Sequence, residues 1–450
     1  MEKKRSSFTG RVGFVLAAAG SAVGLGNLWR FPYLAAKYGG GIFLLVYIIL
    51  AITFGFTLMV TEIAIGRKTG LSCISAYKKL DKRFGFMGWL SALVPVIITP
   101  YYCVIGGWVI RYFAEFVSGH GKDLATSSAD FFSNFIGMKG GIIDNPMLWF
   151  IIFVALTSAV VIFGVEKGIE KVSKVMMPIL VILCVVIAVF ALTIDGALAG
   201  LKYYLLPDFS KFSSATVLGA LGQLFYSMSL AMGIMITYGS YMKKEDNIEK
   251  SVRQIEIFDT GIALLAGLII IPSVVAFNGG SADGINAGPG LMFITLPQVF
   301  NAMGSIGGVV GTLFFLLVFF AAITSSISLM ETVVSMVRDK FHWNRVVTTV
   351  VVTLGTVAIG PLANFKIFGM QMLDFFDFIS NSVLMPIVAF LTCILIGHVV
   401  GTKVIADEVG LSAKFTGEKL HRVMIKWVAP ILLVVILVAQ VLSAFGIITI

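Results

Sequence analysis

Eleven stretches of about twenty or more apolar residues follow one another along this 450-residue chain. An α-helix crosses a hydrocarbon core of about 30 Å with about 20 apolar residues, so each stretch is a candidate span. They lie near 12–37, 41–66, 86–117, 147–164 and 169–195. After a polar break come 214–241, 252–278, 304–337, 344–360, 371–400 and 423–447. Runs such as FLLVYIILAITFGF are apolar on every side and lack the alternation of a barrel strand, so the expected spans are helices. The expected fold is an all-α polytopic membrane protein.

Composition agrees. The chain is 58% apolar and 13% charged, where a soluble domain carries roughly 25% charged residues. Cys73, Cys103, Cys184 and Cys393 stand singly and the four histidines are scattered, so neither a metal clip nor a redox motif is expected. Lys3, Lys4 and Arg5 ahead of VGFVLAAAGSA imitate a secretory signal, yet the apolar pattern runs on, giving an uncleaved first helix. With residue 1 in the cytoplasm, the amino-terminal arm and inner loops (66–86, 164–174, 241–253, 338–345 and 400–426) hold 25 of the 33 basic residues. The net charge of +9 is therefore a topological signal and calls for no nucleic acid. The expectation is a multi-pass protein of the cell inner (plasma) membrane, amino terminus cytoplasmic and carboxyl terminus outside.

Two spans carry a weak point near mid-depth. GSAVGLGN at 20–27 places three glycines within seven residues of the first span. Each glycine costs about 1 kcal/mol relative to alanine inside a helix. Close helix packing through the Gly20–Gly24 pair is one reading. Unwinding is the other, and FYSMSLAMG at 225–233 of the sixth span supports it with Ser227, Ser229 and Gly233. Matching interruptions in two sets of five spans point to a transporter with inverted repeats. Unwound backbone is tolerated at that depth where it lines a polar cavity.

RVGFVLAAAGSAVGLGNLWRFPY resembles the first helix of the neurotransmitter:sodium symporters, in their bacterial amino-acid branch. Further motifs follow in order: GGGIFLLVY at 39–47, EIAIGR at 62–67, PYYCVIGGW at 100–108 and KGIEKVSKVMMP at 167–178. FITLPQVF at 293–300, AAITSSIS at 321–328 and LDFFDF at 373–378 complete the set. The resemblance implies one transporter domain over 1–450, with repeat one about 8–195, repeat two about 212–400 and an extra helix about 423–447. The family commonly has twelve spans. The missing helix lies outside the repeats and bears on oligomer contacts, where a monomer or weak dimer is expected.

The resemblance also implies two sodium sites. The second takes the Gly20, Val23 and Ala321 carbonyls with the Thr324 and Ser325 hydroxyls. For Thr324 and Ser325 alone, back-bonding to the preceding turn is the ordinary alternative. The first takes the Ala22 carbonyl, the Asn27 side chain, Ser227 and Asp259. An ionised residue as deep as Asp259 costs at least about 2.5–3.5 kcal/mol, which argues for function. Better-known members have asparagine at that position, and chloride-dependent relatives supply the negative charge with the anion. Here Ala263 replaces their nearby serine, so chloride is not expected.

The implied substrate is a hydrophobic or aromatic L-amino acid held by Ser21, Ala22, Gly24, Leu25, Gly26, Ile98, Tyr102, Tyr226, Ser227, Ser229, Met232, Ser325 and Leu329. Gly24 stands where animal amine transporters carry aspartate, which disfavours amines, and Tyr102 would meet the substrate carboxylate. Arg30 with Asp377, accompanied by Gln223, forms the implied outer gate; Arg5 with Asp339 forms the inner one. Glu62 is placed to accept backbone donors freed by the break in the sixth span, and Gly168 and Pro178 offer the fifth a point of unwinding. The resulting expectation is a sodium-coupled amino-acid symporter working by alternating access. The alternatives are proton coupling through Asp259 and, ranked last, a transporter-like amino-acid sensor. An enzyme is not expected, since the intramembrane polar groups are hydroxyls, glycines and an isolated aspartate.

Overall fold

A computed structural model of the chain describes residues 7–281, 288–367, 370–444 and 447. Eight unbroken helices in it are long and apolar enough to span a membrane. They are α3 (Gly41–Thr69), α4 (Lys82–Val117), α6 (Val165–Ala191), α9 (Ile248–Phe277), α11 (Gly304–Phe341), α12 (Arg345–Asn364), α13 (Met372–Val399) and α14 (Glu418–Ala444). A ninth span is the pair α1 (Arg11–Ala22) and α2 (Gly26–Lys37), bent by 52° at its break. The other two expected spans are shorter: α5 (Pro146–Ile162) has 17 residues, and the sixth is split into α7 (Ser214–Ser227) and α8 (Ile234–Gly239).

Helix ends are fixed by local chemistry where the chain leaves the apolar stretches. Ser213 and Thr216 form a reciprocal capping box at the start of α7. Asn247 and Asn344 accept from the Lys250 and Val347 amides at the starts of α9 and α12. Gly70, at φ 67°, closes α3 in the left-handed conformation. Each cap satisfies amides or carbonyls that a helix end would otherwise leave unpaired.

The broken helices occupy the interior. Leu25, Leu28, Leu224 and Met228 are fully buried, whereas Ile182 of α6, Leu354 of α12 and Ile431 of α14 face outward as lipid-contacting surface. Helix α8 packs against α3 backbone to backbone. A Cβ on Gly66 would stand 1.9 Å from the Ile236 carbonyl oxygen, and one on Gly239 would stand 2.3 Å from that of Ile63. Small residues at such a crossing let two membrane helices approach closely enough for dispersion to hold them.

Several short helices lie in segments that apolar periodicity leaves as connections, among them Cys73–Leu80, Ala197–Leu205 and Lys403–Gly410. The most consequential is α10 (Leu291–Ala302), which carries FITLPQVF. Its Phe293 ring meets Phe132 at 5.4 Å, Tyr112 at 4.8 Å and Trp29 at 6.4 Å, linking α10 to α4, α2 and the loop helix Ser128–Ile136. At twelve residues α10 is too short to span. It packs instead against the loop helices Gly121–Thr126 and Ser128–Ile136 and against α11.

Replacing Gly239 by alanine forces backbone apart at the α3–α8 crossing. The expected cost is about 1–3 kcal/mol, read as a lowered unfolding midpoint in detergent.

Candidate functional site

The break between α1 and α2 falls at Val23–Leu25, and that between α7 and α8 at Met228–Gly233. In the second break Ser229, Ala231 and Gly233 all have positive φ, at 52°, 59° and 72°. Only glycine visits that region without penalty, so the two side-chain-bearing positions store strain of about 1–3 kcal/mol each. The freed Ala231 amide donates to the Glu62 carboxylate at 2.6 Å, the role expected for Glu62. The Glu62 side chain is buried, and one of its oxygens has no partner among the described residues.

All thirteen residues expected around a substrate line one cavity between the two breaks, joined by Asn27, Ile234 and Ser328. The cavity measures about 30 Å³, on the order of one water. An amino acid therefore enters only if side chains such as Met232 and Tyr226 give way. Gly24 is required by proximity: a Cβ there would stand 2.8 Å from Ser325 Oγ and 3.0 Å from Tyr102 Oη. Tyr102 accepts from the Leu25 amide at 3.3 Å, so its hydroxyl already faces the unwound backbone.

The first expected ion cluster is assembled around Asp259, which is 0% exposed. Its Oδ1 accepts from Ser227 Oγ at 2.7 Å and from the Asn27 amide at 2.8 Å. Its Oδ2 accepts from Tyr47 Oη at 3.3 Å. No lysine, arginine or histidine pairs with it among the described residues. The Asn27 amide nitrogen faces Asp259, while its oxygen accepts from the Gly24 amide at 3.0 Å. For Asn27 to ligate a cation, that amide must turn. Ala22 shares the same cavity wall.

The second cluster is also brought together. Ser325 Oγ lies 3.3 Å from the Gly20 carbonyl and 3.2 Å from that of Val23. Thr324 Oγ1 lies 3.2 Å from the Ala321 carbonyl. The ordinary alternative coexists with this arrangement, because Thr324 also donates to the Phe320 carbonyl at 2.9 Å. The five residues supply oxygens without a formal charge, a donor set suited to a hard monovalent cation.

The expected outer ion pair is not formed. Arg30 and Asp377 line a separate cavity of about 360 Å³, yet they do not meet. Asp377 accepts instead from Tyr101 Oη at 3.2 Å and from the Asn381 amide. The Arg30 guanidinium lies 5.5 Å from the Tyr226 ring centroid. Neutral donors satisfy the carboxylate, so the open cavity keeps the two charges apart. Tyr226 lines both cavities and stands between them. Gln223 turns inward, donating to the Gly26 carbonyl at 2.9 Å across the break. On the opposite face Asp339 accepts from the Ser72 amide at 2.7 Å; Arg5 lies outside the described residues. Gly168, one of the two residues expected to offer a point of unwinding, lies in an irregular turn of the helix. A π-helical turn over Val165–Glu170 keeps α6 continuous there.

Tyr47 and Ser328 are site residues that the sequence reading missed. Ser328 follows Ser325 by three positions and so shares its helix face. Tyr47 belongs to the GGGIFLLVY motif, but nothing local marks its contact with a residue 212 positions away.

Two discontinuous helices enclosing a mostly apolar pocket with hydroxyl and unwound backbone groups in its wall, inside a multi-pass bundle, define a secondary transporter. A profile of the sodium:neurotransmitter symporter family matches residues 5–122 and 121–447. The chain belongs to that family. It is 37% identical over 412 residues to the uncharacterized sodium-dependent transporter YhdH of Bacillus subtilis, covering 88% of each chain. It is 32% identical over 459 residues to an uncharacterized sodium-dependent transporter of Haemophilus influenzae, covering 97% of this chain and 98% of the other. The crystal structure of MhsT in complex with L-phenylalanine matches with a TM-score of 0.86 and 32% identity, over 97% of this chain and 100% of that one. The relatives are transporters, so the chain is not an enzyme, and its activity is sodium-coupled transport.

Glu62→Ala leaves the Ala231 amide without its acceptor inside the membrane. The expected loss is about 1–3 kcal/mol of stability, and Glu62→Gln restores most of it because the amide oxygen still accepts. Thermal unfolding of the purified variants reads both.

Proposed function

We propose that the chain imports hydrophobic or aromatic L-amino acids with sodium, independently of chloride, by alternating access between two five-helix repeats. Asp259 carries this reading: a carboxylate buried at membrane depth, held by three neutral donors and, among the described residues, by no cationic side chain. Sodium is the compensating charge, with Ala22, Asn27, Ser227 and Asp259 as its ligands. A fixed aspartate makes an accessory anion unnecessary, and Ala263 offers no hydroxyl to hold one.

The uncharged cluster of Gly20, Val23, Ala321, Thr324 and Ser325 takes a second sodium. The substrate carboxylate faces the amides at Gly24–Gly26 and the Tyr102 hydroxyl, near the amino-terminal end of α2, where the helix dipole favours an anion. Ile98, Tyr226, Met232 and Leu329 enclose its side chain. The phenylalanine in the MhsT crystal structure supports an amino acid with an apolar side chain as the substrate class. Arg30, Asp377 and Gln223 close the outer side as the cavity collapses, and Arg5 with Asp339 closes the inner side. The membrane is the cell inner (plasma) membrane, with the amino terminus cytoplasmic and the carboxyl terminus outside. The protein works as a monomer or weak dimer.

Replacing chloride with gluconate at fixed sodium leaves uptake unchanged on this reading; a large drop overturns chloride independence. Asp259→Asn weakens the sodium dependence of uptake by about tenfold or more, since a charge-assisted contact is lost. An unchanged sodium dependence in that variant removes Asp259 from the ion shell.

A further inference from the structure

The substrate cavity is apolar on most sides, but one wall is built of hydroxyls. Ser21 Oγ lies 2.7 Å from Ser328 Oγ and 3.2 Å from Ser229 Oγ, all three side chains lining the cavity. Ser229 Oγ also lies 3.0 Å from the Ser21 carbonyl, and Ser328 Oγ lies 2.7 Å from that of Ser325.

Hydrogen accounting decides what this wall offers. A serine hydroxyl has one hydrogen and two lone pairs. If Ser328 donates to the Ser325 carbonyl or to the Tyr238 hydroxyl, which it also meets, Ser21 donates to Ser328 and Ser229 to the Ser21 carbonyl. If Ser328 donates to Ser21 instead, Ser21 donates to Ser229 and Ser229 again to the Ser21 carbonyl. Both arrangements consume all three hydrogens within the protein. Oxygen lone pairs remain on the wall, so it presents acceptors without a donor.

We infer that this serine wall makes the transporter favour amino acids whose side chain carries an O–H or N–H donor, such as threonine, tyrosine or tryptophan, over their purely apolar counterparts. The inference rests on the amino-acid reading above and narrows its substrate class. The size of the preference follows from the same accounting. The serines already satisfy one another, so an apolar side chain leaves no orphaned donor behind and is not strongly rejected. Discrimination is therefore about tenfold, the worth of one net hydrogen bond, far below the factor of about 10⁴ or more for a site that leaves a buried group unpaired.

The test is equilibrium binding to the purified full chain in sodium buffer, read by thermal stabilisation, for three matched pairs. These are threonine against valine, tyrosine against phenylalanine, and tryptophan against 1-methyltryptophan. The donor-bearing member of at least one pair binds about tenfold tighter than its partner. In Ser21→Ala, which removes the hydroxyl standing between Ser328 and Ser229 and its free lone pairs, that ratio falls toward one. Equal or tighter binding of the donor-free member in every pair overturns the inference. A ratio that persists in Ser328→Ala, Ser21→Ala and Ser229→Ala alike overturns it too, because the preference then arises elsewhere. If none of the six binds while another amino acid does, this inference falls and amino-acid transport stands. If no amino acid binds, the underlying reading falls with it.

Discussion

An unpaired carboxylate at membrane depth is the constraint around which this structure is arranged. Asp259 has three hydrogen-bond donors and, among the described residues, no cationic side chain paired with it. Hydrogen bonds alone do not repay moving a charge out of water, so on the proposed reading a bound sodium compensates it, with a proton as the alternative. That requirement explains why the surrounding backbone is broken. An intact helix spends its carbonyls on its own ladder; the breaks at Val23–Leu25 and Met228–Gly233 release carbonyls and amides beside Asp259.

Breaking two helices in a bilayer creates further demands, and particular residues meet them. Glu62 takes the Ala231 amide, Gln223 takes the Gly26 carbonyl, and Tyr102 takes the Leu25 amide. Gly24 lets Ser325 and Tyr102 approach, while Gly66 and Gly239 let the short helix α8 lean on α3. These contacts support a site that is both strained and polar, and they tie ion binding to the position of four helix segments. A ligand shifts such an arrangement only through its different affinities for the two states. On the proposed reading, an ion and an amino acid sharing one broken region supply that coupling directly.

Much of this was legible in the chain itself. Apolar runs located the nine spans that are long and apolar enough to cross, to within about five residues, and the glycine and serine clusters marked both breaks. The thirteen substrate residues implied by resemblance do line one cavity. Ser328 was readable in principle from its three-residue spacing to Ser325. Tyr47 was not, because its partner is far away in sequence. Short helices such as α10 escaped notice because their apolar content is that of a packed loop, too brief to span. The open Arg30–Asp377 pair reflects the neutral donors that satisfy Asp377, Tyr101 and Asn381, which a pattern of charges does not reveal.

Which cation compensates Asp259 is the central question, and one measurement addresses it most directly. Purified protein in liposomes is given an inward sodium gradient or an inward proton gradient, each alone at zero membrane potential, and uptake of twenty labelled amino acids is followed. Sodium as the partner of Asp259 predicts concentrative uptake under the sodium gradient and none under the proton gradient without sodium. Uptake driven by protons in sodium-free medium would contradict the account and reassign Asp259 to proton coupling.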